Sequence, residues 1–281
     1  MCDTCGCNLT PGNEHLVAGD GSLAHTRSGA ESVDVLKGLL DANDHQAQHN
    51  REHFDQHRVL AVNLMSSPGA GKTSLLEATI DKLDGDLNIA VIEGDLETEN
   101  DAKRIREKGV AAIQICTGSA CHLDAQMLHT ALHELTLNEV DVLFIENVGN
   151  LVCPASFDLG QHLNVALLSS PEGDDKPAKY PVMFRAADLV LITKSDLLEV
   201  LGDFDPERAG SYIRQLANPA PILTLSARSG LGMPAWLDWI LDQINLHRRG
   251  PVEGKTDRPK VQPDGMTPHA AMHTHDAGDR L

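Results

Sequence analysis

The run Ser66-Ser67-Pro68-Gly69-Ala70-Gly71-Lys72-Thr73 puts a lysine and a hydroxyl directly after a glycine-rich turn, the residue types that cradle phosphate oxygens. It fits G-x-x-x-x-G-K-[ST] with Ser66 in the place of the first glycine. It also lies between the apolar stretch VLAVNLM and a helix-forming one, as such a loop requires. Gly69, Ala70 and Gly71 can turn backbone N–H groups onto a β-phosphate, helped by the positive end of the following helix, where Ser74 is a further nucleotide contact. Lys72 would bridge β and γ oxygens, and Thr73 would offer its hydroxyl to Mg²⁺. Two carboxylates can share that cation and sense the γ-phosphate: Asp95 after NIAVIEG, and Glu146 at the end of VLFIE. A strand-end acid can also simply cap the next helix. Lys72, Asp95 and Glu146 are the candidate catalytic groups.

Thr193-Lys194-Ser195-Asp196 follows another apolar run and is similar to the guanine-reading pattern N-K-x-D, with Thr for Asn. A carboxylate at Asp196 can accept both the N1–H and the amino hydrogens of guanine. Adenine presents an acceptor at N1, and charge-assisted hydrogen bonds worth about 1.5 to 3 kcal/mol make the discrimination large. Lys194 would lie along the purine face. Ser226-Ala227-Arg228 ends the last strand, where a backbone N–H of Ser226 or Ala227 could meet guanine O6. The nucleotide expected is therefore GTP.

Cys2, Cys5 and Cys7 form C-x-x-C-G-C, whose short loop can fold three thiolates around one soft divalent ion. The chain's own α-amine is a fourth donor, which suits square-planar Ni²⁺; tetrahedral Zn²⁺ with a borrowed ligand is the alternative. Cys121-His122 and Cys153 read either as further ligands or as buried thiols beside a helix cap, and Cys116 in AAIQIC reads as a core thiol. Histidines 45, 49, 53 and 57 recur every four residues. Four helical steps turn about 400°, so neighbouring pairs face each other while the row drifts around the helix. Pairwise capture of Ni²⁺ or Zn²⁺ is feasible, a single four-histidine site on that helix is not, and a solvated polar face is the simpler reading. His129 and His133 read as riding a surface helix, and His269, His273 and His275 have the standing of the helical row.

The 281 residues carry a formal net charge of -18 and no basic stripe, which excludes phosphate-backbone binding and hence a nucleic-acid partner. No stretch approaches the roughly 18 apolar residues of a membrane span, and MCDTCGCNLT lacks the marks of a signal peptide, so a cytoplasmic protein is expected. Aromatics make up 3% of the chain, so its core must be aliphatic. Seven short apolar runs from Val59 to Ser226, separated by helix-length intervals, predict an α/β fold: a doubly wound, mostly parallel sheet. Residues 1–30 read as a mobile metal-binding arm and 31–57 as a lead-in helix that packs through its first half (Val33, Leu36, Leu39, Leu40). Residues 58–247 read as the GTPase domain and 248–281 as a disordered tail.

Taken together, MCDTCGC, NREHFDQHRVLAVNLMSSPGAGKT, VIEGDLETENDA, GSACHLDA, IENVGNLVCPASFDLG, SPEGDDKPAKYP and ADLVLITKSDL closely resemble the HypB family of hydrogenase nickel-incorporation GTPases. The resemblance spans about Cys2 to Ile244. It implies nickel delivery to a [NiFe]-hydrogenase large-subunit precursor, a HypA-like co-chaperone and a GTP-dependent homodimer. It also implies that Cys121, His122 and Cys153 form the metal site of the G domain. Thr193 and Ser66 depart from the general GTPase pattern and bear on nucleotide affinity. A small-acceptor P-loop kinase, a nickel or zinc store and a urease-type accessory GTPase are the competing readings.

Overall fold

The computed structural model describes residues 32–83, 85–95, 99–118 and 120–250. The expected arm with Cys2, Cys5 and Cys7, and residues 251–281 of the expected tail with its three histidines, lie outside them; residues 248 and 249 close the last helix instead of opening the tail.

The elements follow the apolar runs in chain order. Helix α1 (Ser32–His57) leads into β1 (Leu60–Ser66), α2 (Lys72–Leu83), β2 (Ile89–Asp95), α3 (Asn100–Glu107), β3 (Ala111–Cys116), α4 (Ala125–Leu132), β4 (Val142–Glu146) and β5 (Leu163–Ser169). Then come α5 (Lys176–Lys179), α6 (Pro181–Ala186), β6 (Leu189–Thr193), α7 (Leu198–Leu201), α8 (Pro206–Gln215), β7 (Ile222–Thr224) and α9 (Met233–Arg249). The strands order as β3-β2-β4-β1-β5-β6-β7, and every pair is parallel. The sheet is thus wholly parallel, where the sequence predicts a mostly parallel one. β1 is central, so the loop after it opens at the carboxyl edge of the sheet, where doubly wound folds bind ligands.

Alternate residues of each strand serve opposite faces. Val62, Leu64, Val91 and Phe144 pack against α2 and α9, where Trp236 is fully buried and donates its indole N–H to Thr79 Oγ1 at 2.8 Å. Ala61, Ile92, Leu143 and Ile145 pack with Phe54 of α1 and Leu128 of α4 on the other face. On this second face a chain of amides crosses the strands. Asn147 Nδ2 donates to Asn63 Oδ1 at 3.2 Å, Asn63 Nδ2 to Asn164 Oδ1 at 3.0 Å, and Gln161 Nε2 to the same Asn164 oxygen at 3.0 Å. Buried amides are tolerated because each finds a partner.

Two expectations need correction. Leu40 is exposed, and the described packing of α1 comes from its second half, through Ala47, Asn50, Arg51 and Phe54; the side chains of Val33, Leu36 and Leu39 lie outside the described residues. Polar groups hide this face from hydropathy. Asn50 Nδ2 donates to Ala125 O and Leu159 O at 2.8 and 3.1 Å, and Arg51 forks onto both Asp158 oxygens at 2.8 and 2.9 Å. Cys116 is not a core thiol: it ends β3, an edge strand, and is exposed.

Candidate functional site

The loop after β1 forms the floor of a cavity of about 440 Å³ at the carboxyl ends of the central strands. Gly69 and Gly71 take φ of +74° and +99°, a region β-carbons disfavour, and this lets the loop curl over the start of α2. Lys72 is buried and donates to Ser66 Oγ at 3.0 Å. The serine in the first glycine's place thus parks the lysine beside the cavity. Thr73 Oγ1 donates to Glu146 Oε1 at 2.9 Å.

The acids gather opposite. Asp95 and Glu146 both line the cavity, together with Asp101 and Arg104. Glu93, which the motif reading missed, lines it as well and stands beside Glu146 in the β2–β4 register. Strand alternation was its available signal, since Glu93 and Asp95 are two residues apart and share a face. The Oε2 atoms of Glu93 and Glu146 are both buried with no hydrogen-bond partner. Burial, reinforced by the neighbouring Glu146, pushes the Glu93 carboxyl up to about 8. Burial raises Glu146 to about 7 against the pull of Lys72 and Thr73. Two orphaned carboxylate oxygens beside a hydroxyl fit the needs of a hard divalent cation with oxygen ligands. Arg104 also went unnoticed in the sequence; Glu77 holds it at 2.6 Å and Asp101 at 2.7 Å.

A second cavity, of about 320 Å³, shares Gly71, Ser74 and Lys194 with the first and is bounded by Asp196, Ser226, Ala227 and Arg228. Thr193 donates its hydroxyl to Ala70 O at 2.8 Å, and Lys194 reaches Gly69 O at 2.7 Å, so the TKSD segment is clasped to the glycine-rich loop. The Thr that replaces Asn therefore still ties the two loops. Asp196 is exposed at the rim. The backbone N–H of Ser226 is spent on Leu231 O at 2.8 Å, which leaves Ala227 as the amide candidate of that pair.

Cys121, His122 and Cys153 come together although 32 residues separate the two cysteines: Cys121 Sγ lies 3.3 Å from Cys153 Sγ and 3.9 Å from His122 Nδ1. All three donor atoms fall within 4.8 Å of one another. The first two sit between β3 and α4, just before Asp124, which caps α4 by accepting from Met127 N at 2.7 Å. Cys153 opens a single 3-10 turn, with Asn150 Oδ1 taking its N–H at 3.3 Å. His122 stacks on Phe157 with ring centroids 3.9 Å apart, and burial lowers its pKa to about 4. The imidazole lone pair is therefore available at neutral pH, as a metal ligand requires.

Similarity to known proteins covers this whole region. Residues 60–224 match the family model described as CobW/HypB/UreG, nucleotide-binding domain. The chain is 47% identical over 253 residues to the hydrogenase maturation factor HypB of Azotobacter vinelandii, covering 89% of this chain and 83% of that one. It is 48% identical over 233 residues to the HypB of Escherichia coli K12, covering 83% and 80%. A crystal structure of HypB from Helicobacter pylori in complex with nickel superposes with a TM-score of 0.70 at 42% identity, over 73% of this chain and 96% of that one.

Proposed function

Because the chain belongs to the CobW/HypB/UreG family, and within it to the hydrogenase maturation factors called HypB, we propose that it hydrolyses GTP to control nickel delivery during [NiFe]-hydrogenase maturation. The observation that carries this reading is the junction of three features: a phosphate cavity, a base cavity sharing Gly71 and Lys194 with it, and a Cys-His-Cys cluster beside the strand that ends in Glu146.

In this reading Asp196 accepts the N1–H and amino hydrogens of guanine, Lys194 covers the ring, and Ala227 donates to O6. Gly69, Ala70, Gly71 and Ser74 hold the phosphates. Lys72 leaves Ser66 for the β and γ oxygens and stabilises the charge that builds on them as water attacks the γ-phosphorus and the bond to the bridging oxygen breaks. Thr73, Asp95 and Glu146 would hold Mg²⁺, with Glu93 supplying the second orphaned oxygen. The ion, when bound, neutralises the phosphate oxygens. A raised carboxyl such as Glu93 sheds its proton as a cation arrives.

Nickel is cargo. Two sulfurs and one neutral imidazole form a soft donor set that fits Ni²⁺ or Zn²⁺. A second copy of the chain, joined in a GTP-dependent homodimer, would complete the coordination. The proposed partners upstream and downstream are a HypA-like co-chaperone and the hydrogenase large-subunit precursor.

The test is nickel insertion into that precursor by the Ni²⁺-loaded chain, followed alongside phosphate release. GTP should support both, whereas ATP should support neither. Equal phosphate release from ATP would end the proposal.

A further inference from the structure

On α1 alone, the row of histidines cannot gather around one point. The packing of α1 against α4 removes that restriction, because α4 and its C-cap carry a second i,i+4 pair, His129 and His133. The two helices are pinned together: Ala125 N–H donates to Asn43 Oδ1 at 2.9 Å, and Asn50 Nδ2 donates to Ala125 O at 2.8 Å. His49 and His53 of α1 then face His129, which in turn meets His133. Ring centroids are 4.7 Å apart for His49–His53, 5.1 Å for His49–His129, 5.9 Å for His53–His129 and 4.7 Å for His129–His133. Imidazoles sharing one tetrahedral ion through bonds of 2.0–2.1 Å place their centroids about 5 Å apart. The rings are therefore near enough for side-chain rotation to bring the nitrogens of His49 and His53 onto the His129–His133 pair, although no three of the four donor atoms yet lie within 4.8 Å of one another.

The hydrogen bonds orient one of these rings. Both hydrogens of Asn50 Nδ2 are spent, on Ala125 O and Leu159 O, so Asn50 Oδ1 is fixed as an acceptor. His129 Nδ1 lies 3.1 Å from that oxygen and must donate to it. The ring is thereby held as the tautomer whose Nε2 carries the lone pair. A metal-binding histidine is oriented in this way, its second nitrogen donating to a fixed oxygen. That Nε2 lies 3.3 Å from the Nε2 of His133. Two nitrogens bound to one tetrahedral ion are separated by about 3.3 Å when each bond is 2.0–2.1 Å.

We propose that His49, His53, His129 and His133 form an interhelical site for a divalent transition ion of the zinc and nickel class, separate from the Cys121-His122-Cys153 cluster. His49 and His133 are exposed, so the ion can reach the site from solvent. An all-imidazole donor set accepts Zn²⁺, Ni²⁺ or Co²⁺ and has no thiolate to hold the ion through oxidation or transfer. This suits reversible loading. His57 belongs elsewhere, with Nδ1 2.6 Å from Asn138 Oδ1. The Asp55-His162-His247 group, like the Cys121-His122-Cys153 cluster, brings its donor atoms within 4.8 Å of one another. There His162 Nδ1 is occupied by Ala61 N–H at 3.0 Å and Nε2 by Asp55 at 3.1 Å, as in a structural hydrogen-bond cluster.

Cobalt tests the site, because its colour separates imidazole from thiolate coordination. The full chain, reduced, is titrated with Co²⁺ alone, and with Zn²⁺ alone for stoichiometry, beside the double variant His49→Gln/His133→Gln, the single variant His129→Gln, and His45→Gln as a control outside the cluster. One Co²⁺ per chain should give tetrahedral visible bands without sulfur-to-cobalt charge transfer. Both cluster variants should lose that ion or bind it at least about tenfold more weakly. The charge-transfer bands of the cysteine sites and the His45→Gln titration should be unchanged. The proposal is overturned if the wild type shows no thiolate-free cobalt, or if the variants bind the same number of ions at the same affinity.

Discussion

The side-chain carbonyl of Asn147 accepts the backbone N–H of Leu123 at 3.2 Å, joining the residue after Glu146 to the residue after His122. The same oxygen takes Val148 N–H at 3.0 Å, while the amide nitrogen reaches Asn63 on β1. Leu123 also presses on the strand that carries Glu93 and Asp95: a β-carbon on Gly94 would meet its side chain at 2.7 Å. On the other side, a β-carbon on Gly149 would come within 2.8 Å of Pro68 in the phosphate loop. These contacts give a shift of Glu146 or of the glycine-rich loop a route to both halves of the Cys-His-Cys cluster.

Nucleotide and nickel should accordingly be coupled, and by linkage each must shift the other's affinity by the same factor, typically about 5- to 150-fold. With the first eight residues deleted to silence the N-terminal thiols, Ni²⁺ affinity is compared between GDP and a non-hydrolysable GTP analogue. Asn147→Ala should bring the ratio toward one. It should also cost about 1–3 kcal/mol of stability, since two buried N–H groups lose their acceptor. Asn147→Asp keeps that acceptor and should retain most of the coupling. Equal Ni²⁺ affinities in the two nucleotide states of the otherwise unaltered chain would dismiss the idea.

The base cavity makes a separate prediction. Asp196→Asn removes the acceptor for guanine's amino group and supplies a donor, which suits the C2 oxygen of xanthine. GTP affinity should fall by about tenfold or more, as expected for losing hydrogen bonds of 1.5–3 kcal/mol, and XTP should gain. Competition binding against labelled GDP reads both. An unaltered GTP affinity would remove Asp196 from the base site.

The seven strands were legible because each is a short aliphatic run flanked by turns, and the glycine-rich loop because its lysine and threonine have few other uses. Glu93 was not, because its importance comes from the β2–β4 register, which no single run displays. Thr193 departs from the guanine pattern, and only the structure shows that its hydroxyl reaches Ala70 O and so ties the two loops. The histidine clusters were only half visible. Spacing defined each pair, but their meeting depends on the angle at which α1 lies on α4, and that is set by Asn43 and Asn50.

Polar residues anchor α1, and one pair should dominate its stability. Arg51 is 1% exposed and its guanidinium is met by Asp158. Asp158→Asn would leave a buried cation short of its countercharge, a loss of about 3–5 kcal/mol when one partner of a buried pair is removed. Replacing both together, as in Arg51→Met/Asp158→Leu, should cost less than the single change. Urea unfolding of the three variants measures this. A double variant less stable than Asp158→Asn would mean the pair itself supplies net stability.

His247 gives the fold a defined acid sensitivity. Its ring lies 4.3 Å from that of His162, close to Asp55. Burial, with a smaller contribution from His162, lowers its pKa from 6.5 to about 4, although Asp55 pulls the other way. Between those two values the unfolded chain binds a proton at this position and the folded chain does not, so stability rises with pH there. The contribution is complete above about pH 6.5 and is lost as the pH falls through 6.5 toward 4. The full shift would correspond to about 3 kcal/mol, but the ring still touches solvent, and screening brings the expected effect nearer 2 kcal/mol. His247→Gln cannot take up the proton and should lose about that much less stability than the wild type between pH 7 and pH 4.5. Urea midpoints at the two pH values provide the comparison, with the pH 7 values of the two proteins absorbing any change in packing. If the two proteins lose stability in parallel on acidification, His247 is not the group that titrates on unfolding.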